Sequence, residues 1–474
     1  MSDNSSEKQL KPMLAYSAAN LPAGLILLVV GAWLMRLYCP SSDEDRVMLI
    51  TDQMFGVITF MVTVVAGFTD FFIGYFSDRT KTTLGRRTPY IMIGLPFLAL
   101  SFLLVWFPPV SEGCTPMIPA EGHPYSFLLS ILPVAYDVPM GNILWLLFLL
   151  GCIHISFTVV VNPYLALMPE LWRSAKGRIR VSAWMAAFNA IAQVVGLGVF
   201  GILISKFSGG ITLFGIDFPD GYKLGAVICF VLTIAGFVPL FVTVREAPYT
   251  KDKQVPFGLW ESAVKTLTNP AFLPYIGAGA MLMAAQSLIL LAIPYLMVTQ
   301  VVEDPNEGDG AAAMLLLGLV VFSAALYPVA VKLADRYRKR DLMMASLASF
   351  VIVLPLVTLA GRIPFISAWV HVIVACALIT PGLAVGMVIP RAILADVMDH
   401  DAERTGFRRE AMYNGMEGLI QKIAYGLAPL AAGFLFANFG KTQAEPWGIV
   451  LCGVAAGIMA VLGMVAFKFY PLNK

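Results

Sequence analysis

The feature that most limits what this chain can fold into is an apolar run of about 20 residues or more that recurs along its 474 residues. A helix rises about 1.5 Å per residue, so each run is long enough to cross a hydrocarbon layer of roughly 30 Å. The polar breaks predict twelve spans, near 13–38, 50–77, 88–108, 141–168, 180–204, 223–244, 271–300, 311–334, 342–361, 366–395, 411–437 and 446–469. Composition agrees: 58% of residues are hydrophobic and 13% charged, with a mean hydropathy of +0.78. An all-α membrane protein with twelve transmembrane helices is expected. The first thirteen residues are polar and the run after them is too long for a signal-peptide core, so no cleavable signal is expected.

An even number of spans puts both termini on one side, and the basic residues select it. With the termini inside, 24 of the 32 Lys and Arg fall in cytoplasmic segments, six in outer loops and two within the membrane. The outer loops at Asp43 to Asp45 and Glu303 to Asp309 are acidic. Both termini are therefore expected in the cytoplasm of a multi-pass plasma (inner) membrane protein. The net charge is only +2 and the basic residues come in short clusters between apolar runs, so nucleic acid is not an expected partner. Membrane lipids are.

Residues 245–270 form the longest cytoplasmic connection, rich in lysine and proline, and separate an N-terminal six-helix half (1–244) from a C-terminal one (271–474). The basic motif at 332–340, with Asp335 and Arg336, echoes Asp78 and Arg79 with the arginines Arg86 and Arg87 that follow. Both motifs stand between the second and third spans of their half, where each is expected to contribute to a cytoplasmic gate. The outer loop 109–140 has six prolines and reads as a surface cover with no assigned chemistry.

Charges inside the apolar spans are expensive and point to function. Asp70, Gly74 and Asp78 share a helical face, and Asp70 lies eight residues deeper than Asp78, roughly 12 Å at about 1.5 Å per residue. Asp70 is thus a candidate cation or proton site, the plainer reading being a helix-to-helix pairing. Lys422 in the eleventh span sits at a comparable depth, and the two are expected to meet across the gap between the halves. A cation or proton competing for the carboxylate would loosen that pair; a permanent salt bridge is the alternative.

Further polar residues fall at similar depth. Glu417 and Gln421 form a stripe with Asn414 turned away from Lys422, with Glu417 a gate, a second titrating group or an interfacial acid paired with Arg408 or Arg409. Arg391 either clamps an anionic ligand or pairs with Asp396. His154, Thr158 and Asn162 are four apart and form a polar line suited to a substrate wall. Tyr16 with Asn20, Gln193 with Asn189, and Gln286 add polar edges to the first, fifth and seventh spans. His154 has two readings, a proton relay or a buried histidine bonded to a backbone carbonyl. Gly196, Gly198 and Gly201 read as places of close helix packing.

No CxxC pair, metal-ligand spacing, HExxH, GxSxG or phosphate loop is present, so neither an enzyme nor a bound cofactor or metal is expected. Cys39 and Cys114 fall in outer loops, where a disulfide is one option.

The motif GYFSDR at 74–79, continuing through GRRTPY at 85–90, resembles the loop between helices two and three of major facilitator transporters. More narrowly it is similar to that of the glycoside-pentoside-hexuronide:cation symporters, the melibiose-permease type. ADVMDHD at 395–401, GFRREAMYNG at 406–415 and NPYLALMPE at 162–170 carry the same resemblance. It implies the major facilitator fold, with Asp70 matching a cation-site aspartate and Lys422 the lysine that faces it. The second cation-site acid is Ala66 here, which favours a proton over sodium. The sugar-clamping acids correspond to Gly24 and to Val161 or Asn162, and an arginine to Ala186, so the coupling residues match while the galactoside site does not. The expected function is proton- or sodium-coupled symport of a small organic solute, a sugar or glycoside, by a monomer. A lipid or lysolipid carrier and a non-transporting receptor or scaffold are the alternatives.

Overall fold

The computed structural model describes residues 3–44, 46–80, 82, 84–110, 113–116, 136–137, 139–172, 174–213, 215–244, 264–405 and 410–472. Among the described residues twelve apolar helices make up the bundle. They are α1 (Leu10–Tyr38), α2 (Asp52–Arg79), α3 (Thr88–Leu104), α4 (Met140–Leu171), α5 (Arg180–Lys206) and α6 (Gly221–Thr243), then α7 (Phe272–Val301), α8 (Gly308–Arg336), α9 (Lys339–Thr358), α10 (Ala368–Thr405), α11 (Glu410–Phe439) and α12 (Trp447–Lys468). Among the described residues eleven of these are long and apolar enough to span a membrane; α3, at 17 residues, is the shorter one. Most of the outer loop 109–140 and the linker through 263 lie outside the described residues.

Helix ends differ from the apolar runs in an instructive way. α10 continues to Thr405, ten residues past the expected 395, because backbone hydrogen bonding carries a helix on after its side chains have become polar. Three helices contain a wider π turn, at Val30–Leu34 in α1, Val194–Val199 in α5 and Met297–Val301 in α7. The first two meet: Trp33 Nε1 donates to the Gly196 carbonyl at 2.8 Å. Gly201 lies under the same indole, and a Cβ there would sit 2.5 Å from the Trp33 ring.

The longest contact between the first six helices and the last six runs along α2 and α11, which lie antiparallel with backbone nearly on backbone. A Cβ at Gly56 would lie 2.5 Å from Pro429 O, and one at Gly433 would lie 2.3 Å from Asp52 O. Only glycine permits that spacing. The seam begins at Asp52, at the face opposite the termini, and leads down to Asp70.

That opposite face is closed by buried charges. Arg36, fully buried near the end of α1, bonds Glu44 at 2.6 Å and Asp309 of α8 at 2.9 Å. Arg46 pairs with Glu44 and reaches Asp309 at 3.2 Å and the Tyr222 hydroxyl at 2.5 Å. Lys441, between α11 and α12, bonds Asp52 at 2.6 Å and the Cys39 carbonyl at 2.8 Å. Tyr295 Oη of α7 donates to that same carbonyl at 2.8 Å. The Cys39 thiol donates to Ile50 O at 3.1 Å, and among the described residues no disulfide is formed. Burial alone would push the Glu44 carboxyl up, but Arg36 and Arg46 outweigh it and hold it down at about 2. Its folded value lies below the ordinary 4.5, so its stabilisation is complete above that pH and is lost as the pH falls through about 2. The bonds from Arg36 and Arg46 to Glu44 are therefore expected to be insensitive to pH between 5 and 8.

Removing one member of a buried pair leaves a charge uncompensated and costs about 3–5 kcal/mol. Lys441→Met is expected to open the face and raise maleimide labelling of Cys39 at least roughly tenfold, with the other five cysteines replaced. Labelling of the purified protein, followed by mass shift, reads this out; an unchanged rate would show that Lys441 does not hold the face shut.

Candidate functional site

Asp70 lies nine residues before the end of α2 and is 8% exposed. Its carboxylate faces α4 and α11. Lys422 Nζ lies 2.7 Å from Oδ2 and 2.8 Å from Oδ1, an almost symmetric ion pair between α2 and α11. Two residues one turn apart on α4 complete the shell of Oδ1: Thr158 Oγ1 donates at 2.7 Å and Asn162 Nδ2 at 3.0 Å. Lys422 also donates to Thr158 Oγ1 at 2.6 Å, so the hydroxyl accepts one hydrogen bond from the ammonium and donates its own to the carboxylate. Gly418, one turn from Lys422, leaves room for this; a Cβ there would be 3.6 Å from Asp70 Oδ2.

Asp70, Lys422, Thr158 and Asn162 are thus brought together as a single neutral group of charges and dipoles at the junction of three helices. A proton or metal cation arriving at the carboxylate competes directly with the ammonium, since both occupy the same oxygens.

A second buried carboxylate sits on the other face of α11. Glu417, 3% exposed, accepts from Tyr275 Oη at 2.6 Å and Gln421 Nε2 at 3.0 Å on Oε1, and from Arg391 Nη1 at 2.8 Å on Oε2. The expected alternative partner of Arg391 is taken: Asp396 is bonded to Lys339 at 2.6 Å. Glu417 is accordingly buried and held on both oxygens; Arg408 and Arg409, the other expected partners, lie outside the described residues.

The remaining sequence candidates divide. Tyr16 is fully buried and its hydroxyl donates to Tyr164 O at 2.7 Å, while Tyr164 Oη donates back to Tyr16 O at 3.1 Å with the rings stacked. Asn20 Nδ2 donates to Met185 O at 2.8 Å. Both fasten α1 to its neighbours and neither reaches the Asp70 group, because a helical face predicted from spacing says nothing of what packs on it. Gln193 donates to Asn189 at 2.9 Å. His154 is 3% exposed; its carbonyl faces the Thr158 hydroxyl at 3.2 Å, while its Nδ1 has no partner among the described residues. It borders a small cavity with Thr59, Ser287 and Tyr425, and the imidazole makes no bond to Asp70. Gln286 Nε2 is likewise buried without a partner among the described residues, near Gly386 of α10.

On the terminal face, Asp335 and Arg336 are exposed at the end of α8, where the Arg336 guanidinium lies over the neighbouring Tyr337 ring. Arg87 is buried and Arg86 half-buried in the α2–α3 connection, while the side chains of Asp78 and Arg79 lie outside the described residues. The charge network described at the opposite face was not among the sequence candidates. Its signal was present in the pairing of Arg36 and Arg46 with the acidic loops at Glu44 and Asp309.

Residues 12–474 match the family described as MFS/sugar transport protein. The chain belongs to that family. It is therefore a multi-span membrane transporter of the major facilitator superfamily. Among curated relatives it is similar to the sphingosine-1-phosphate transporter MFSD2B of Xenopus tropicalis, 21% identical over 90% of this chain and 82% of that one. It is also similar to the sodium-dependent lysophosphatidylcholine symporter 1 of Gallus gallus, 21% identical over 88% of this chain and 79% of that one. The raffinose carrier protein of Pediococcus pentosaceus is 21% identical over 94% of this chain and 62% of its own length. Among solved structures, the nucleoside transporter NupG superposes with a TM-score of 0.60 at 11% identity, covering 98% of this chain and 99% of that one. The xylose transporter XylE from E. coli gives 0.61 at 14%, covering 98% of each chain.

If the ion pair is what stabilises this junction, removing one charge strands the other. Lys422→Met and Asp70→Asn are each expected to destabilise the purified protein, the first by about 3–5 kcal/mol. The double variant should regain most of that loss, because neither charge is then buried alone. Thermal unfolding of the four proteins decides this, and additive losses would show that the two side chains act independently.

Proposed function

We propose that this transporter is a cation-coupled symporter that carries a small organic solute, a sugar or glycoside, by alternating access. The observation that carries the reading is the buried Asp70–Lys422 pair, contributed by α2 and α11 and shared with Thr158 of α4. Residues 1–244 and 271–474 act as two halves that rock about the glycine seam. When a proton or sodium ion binds Asp70, the ammonium is released from the carboxylate, and the contact between the halves weakens at the membrane midplane. The two events are linked because one carboxylate serves both. Ala66, in place of a second acid one turn away, favours the proton.

With both termini in the cytoplasm of the plasma (inner) membrane, as the distribution of basic residues favours, the closed face looks outward. Arg36, Arg46 and Lys441 then form an external gate that must part when the site turns outward. Asp78, Arg79, Arg86, Arg87, Asp335 and Arg336 serve the cytoplasmic gate in the complementary state.

A lysolipid solute is the second reading. It is favoured by the uncharged residues at the expected sugar-clamping positions: Gly24 packs beside Asn189, Val161 is buried and Ala186 is exposed. The named relatives include carriers of both kinds of solute.

Uptake into proteoliposomes, with separate proton and sodium gradients and a panel of glycosides and lysolipids, tests the proposal. Wild type should accumulate one solute class against its gradient. Asp70→Asn should keep solute exchange but lose at least about tenfold of gradient-driven accumulation. Unchanged accumulation in that variant would remove Asp70 from coupling, and no accumulation of any solute by wild type would favour a receptor role.

A further inference from the structure

His154 is a buried residue whose imidazole takes no part in the Asp70 group. It is 3% exposed, and its Nδ1 has no partner among the described residues, a costly state for a ring nitrogen out of water. The imidazole borders a cavity together with Thr59 of α2, Ser287 of α7 and Tyr425 of α11. Gly31, within the π turn of α1, forms another wall, and π turns recur where a helix is shaped for a ligand. Helices from the first six and the last six therefore enclose one space.

Chain direction places that space. His154 lies one turn beyond Thr158, away from the termini, and Tyr425 lies three residues beyond Lys422 in the same direction. The polar wall thus stands roughly 5 Å past the Asp70 group, at about 1.5 Å per residue. Thr59 lies seven residues inside Asp52, the partner of Lys441 at the closed face. The cavity is accordingly set between the ion pair and that face. The positions that the family resemblance assigns to sugar-clamping acids are elsewhere: Gly24 is seven residues before Gly31 and Val161 seven after His154, on both helices two turns nearer the termini. At Gly24 a Cβ would lie 2.5 Å from Asn189 Nδ2, so α5 fills the space there.

Among the described residues no Lys, Arg, Asp or Glu lines the cavity, so a charged group entering it would lose hydration without compensation. The walls offer neutral partners. Thr59 Oγ1 donates to Phe55 O at 2.8 Å and Tyr425 Oη to Leu27 O at 3.3 Å, which leaves both oxygens able to accept, beside the unbonded nitrogen of His154. Apolar side chains lie between them. A sugar ring carries the matching set of hydroxyls and C–H faces.

We infer that this cavity is a solute subsite, two turns from the expected clamp positions toward the closed face, and that His154 bonds an uncharged hydroxyl of the solute there. The inference rests on the transport reading above and narrows its solute to an uncharged glycoside. The space is small while the face is shut, and parting of α1 and α2 from α7 and α11 enlarges it.

The test is equilibrium binding to the full chain in lipid nanodiscs, read by calorimetry. Methyl glucoside, methyl galactoside and methyl xyloside are the neutral probes; glucuronate, glucose 6-phosphate and lysophosphatidylcholine are the charged ones. One neutral probe should bind wild type about tenfold more tightly than every charged probe. His154→Leu should weaken that probe about tenfold, the worth of one hydrogen bond, and His154→Gln should recover part of the loss. Against deoxy forms of the same glycoside, one should bind wild type and His154→Leu alike, which a merely structural role for the histidine would not produce. Thr59→Val removes a hydroxyl from the same wall at nearly constant volume and should also weaken binding, so the outcome does not hang on one variant folding. Val161→Thr should leave the affinity unchanged. The inference is overturned by a charged probe binding wild type as tightly as every neutral one, by no neutral probe binding, or by undiminished binding in both His154→Leu and Thr59→Val. Binding is measured without a gradient, so a failure of coupling or of uptake leaves this outcome untouched, and the converse holds.

Discussion

A carboxylate removed from water must be given an equivalent of its lost hydration, and in this bundle that requirement organises three helices at once. Asp70 receives an ammonium from α11 and two neutral donors from α4, and the distances of 2.7 to 3.0 Å leave little slack in any of them. Such an arrangement is stable only while all its members are present. In the coupling role proposed for Asp70, a carrier would make use of that conditional stability. A permanent lock would use the same residues, but the shared Thr158 hydroxyl gives the ammonium a second acceptor, so the pair can loosen without stranding either charge.

The two buried acids of the central region differ in the way that separates a switch from a strut. Asp70 is held by residues of other helices, α4 from the first six and α11 from the last six. Glu417 is held by Tyr275, Arg391 and Gln421, all from the last six helices, and its surroundings persist when those helices move as a body. The rocking motion proposed above would therefore disturb the first and carry the second along.

Much of this was legible from residue order because depth along a helix is nearly a linear function of position. Asp70 and Lys422 could be matched in depth across 352 positions, and the four-residue step from Thr158 to Asn162 put both on one face. Tyr16 and Asn20 show where that logic stops, since spacing gives a face but not its neighbour, and theirs turned out to be α4 and α5. The closed face was missed for a different reason. Arg36, Glu44, Arg46 and Asp309 lie at span ends and in loops, where charges are ordinarily solvated. Only the meeting of α1 with α8, 273 positions apart, removes them from water. The length of α10 was misjudged because hydropathy marks where a membrane ends, not where a helix does.

The glycine seam between α2 and α11 has its own consequence. At Gly56 and Gly433 backbone lies against backbone, and at Gly67 and Gly426 the Leu419 and Thr63 side chains of the facing helix fill the space a side chain would take, so the contact is made with few bulky groups between the axes. The charged contacts Lys441–Asp52 and Lys422–Asp70 stand toward its two ends. If the halves rock as proposed, such a seam would act as a bearing, and any side chain added at its glycines would jam it.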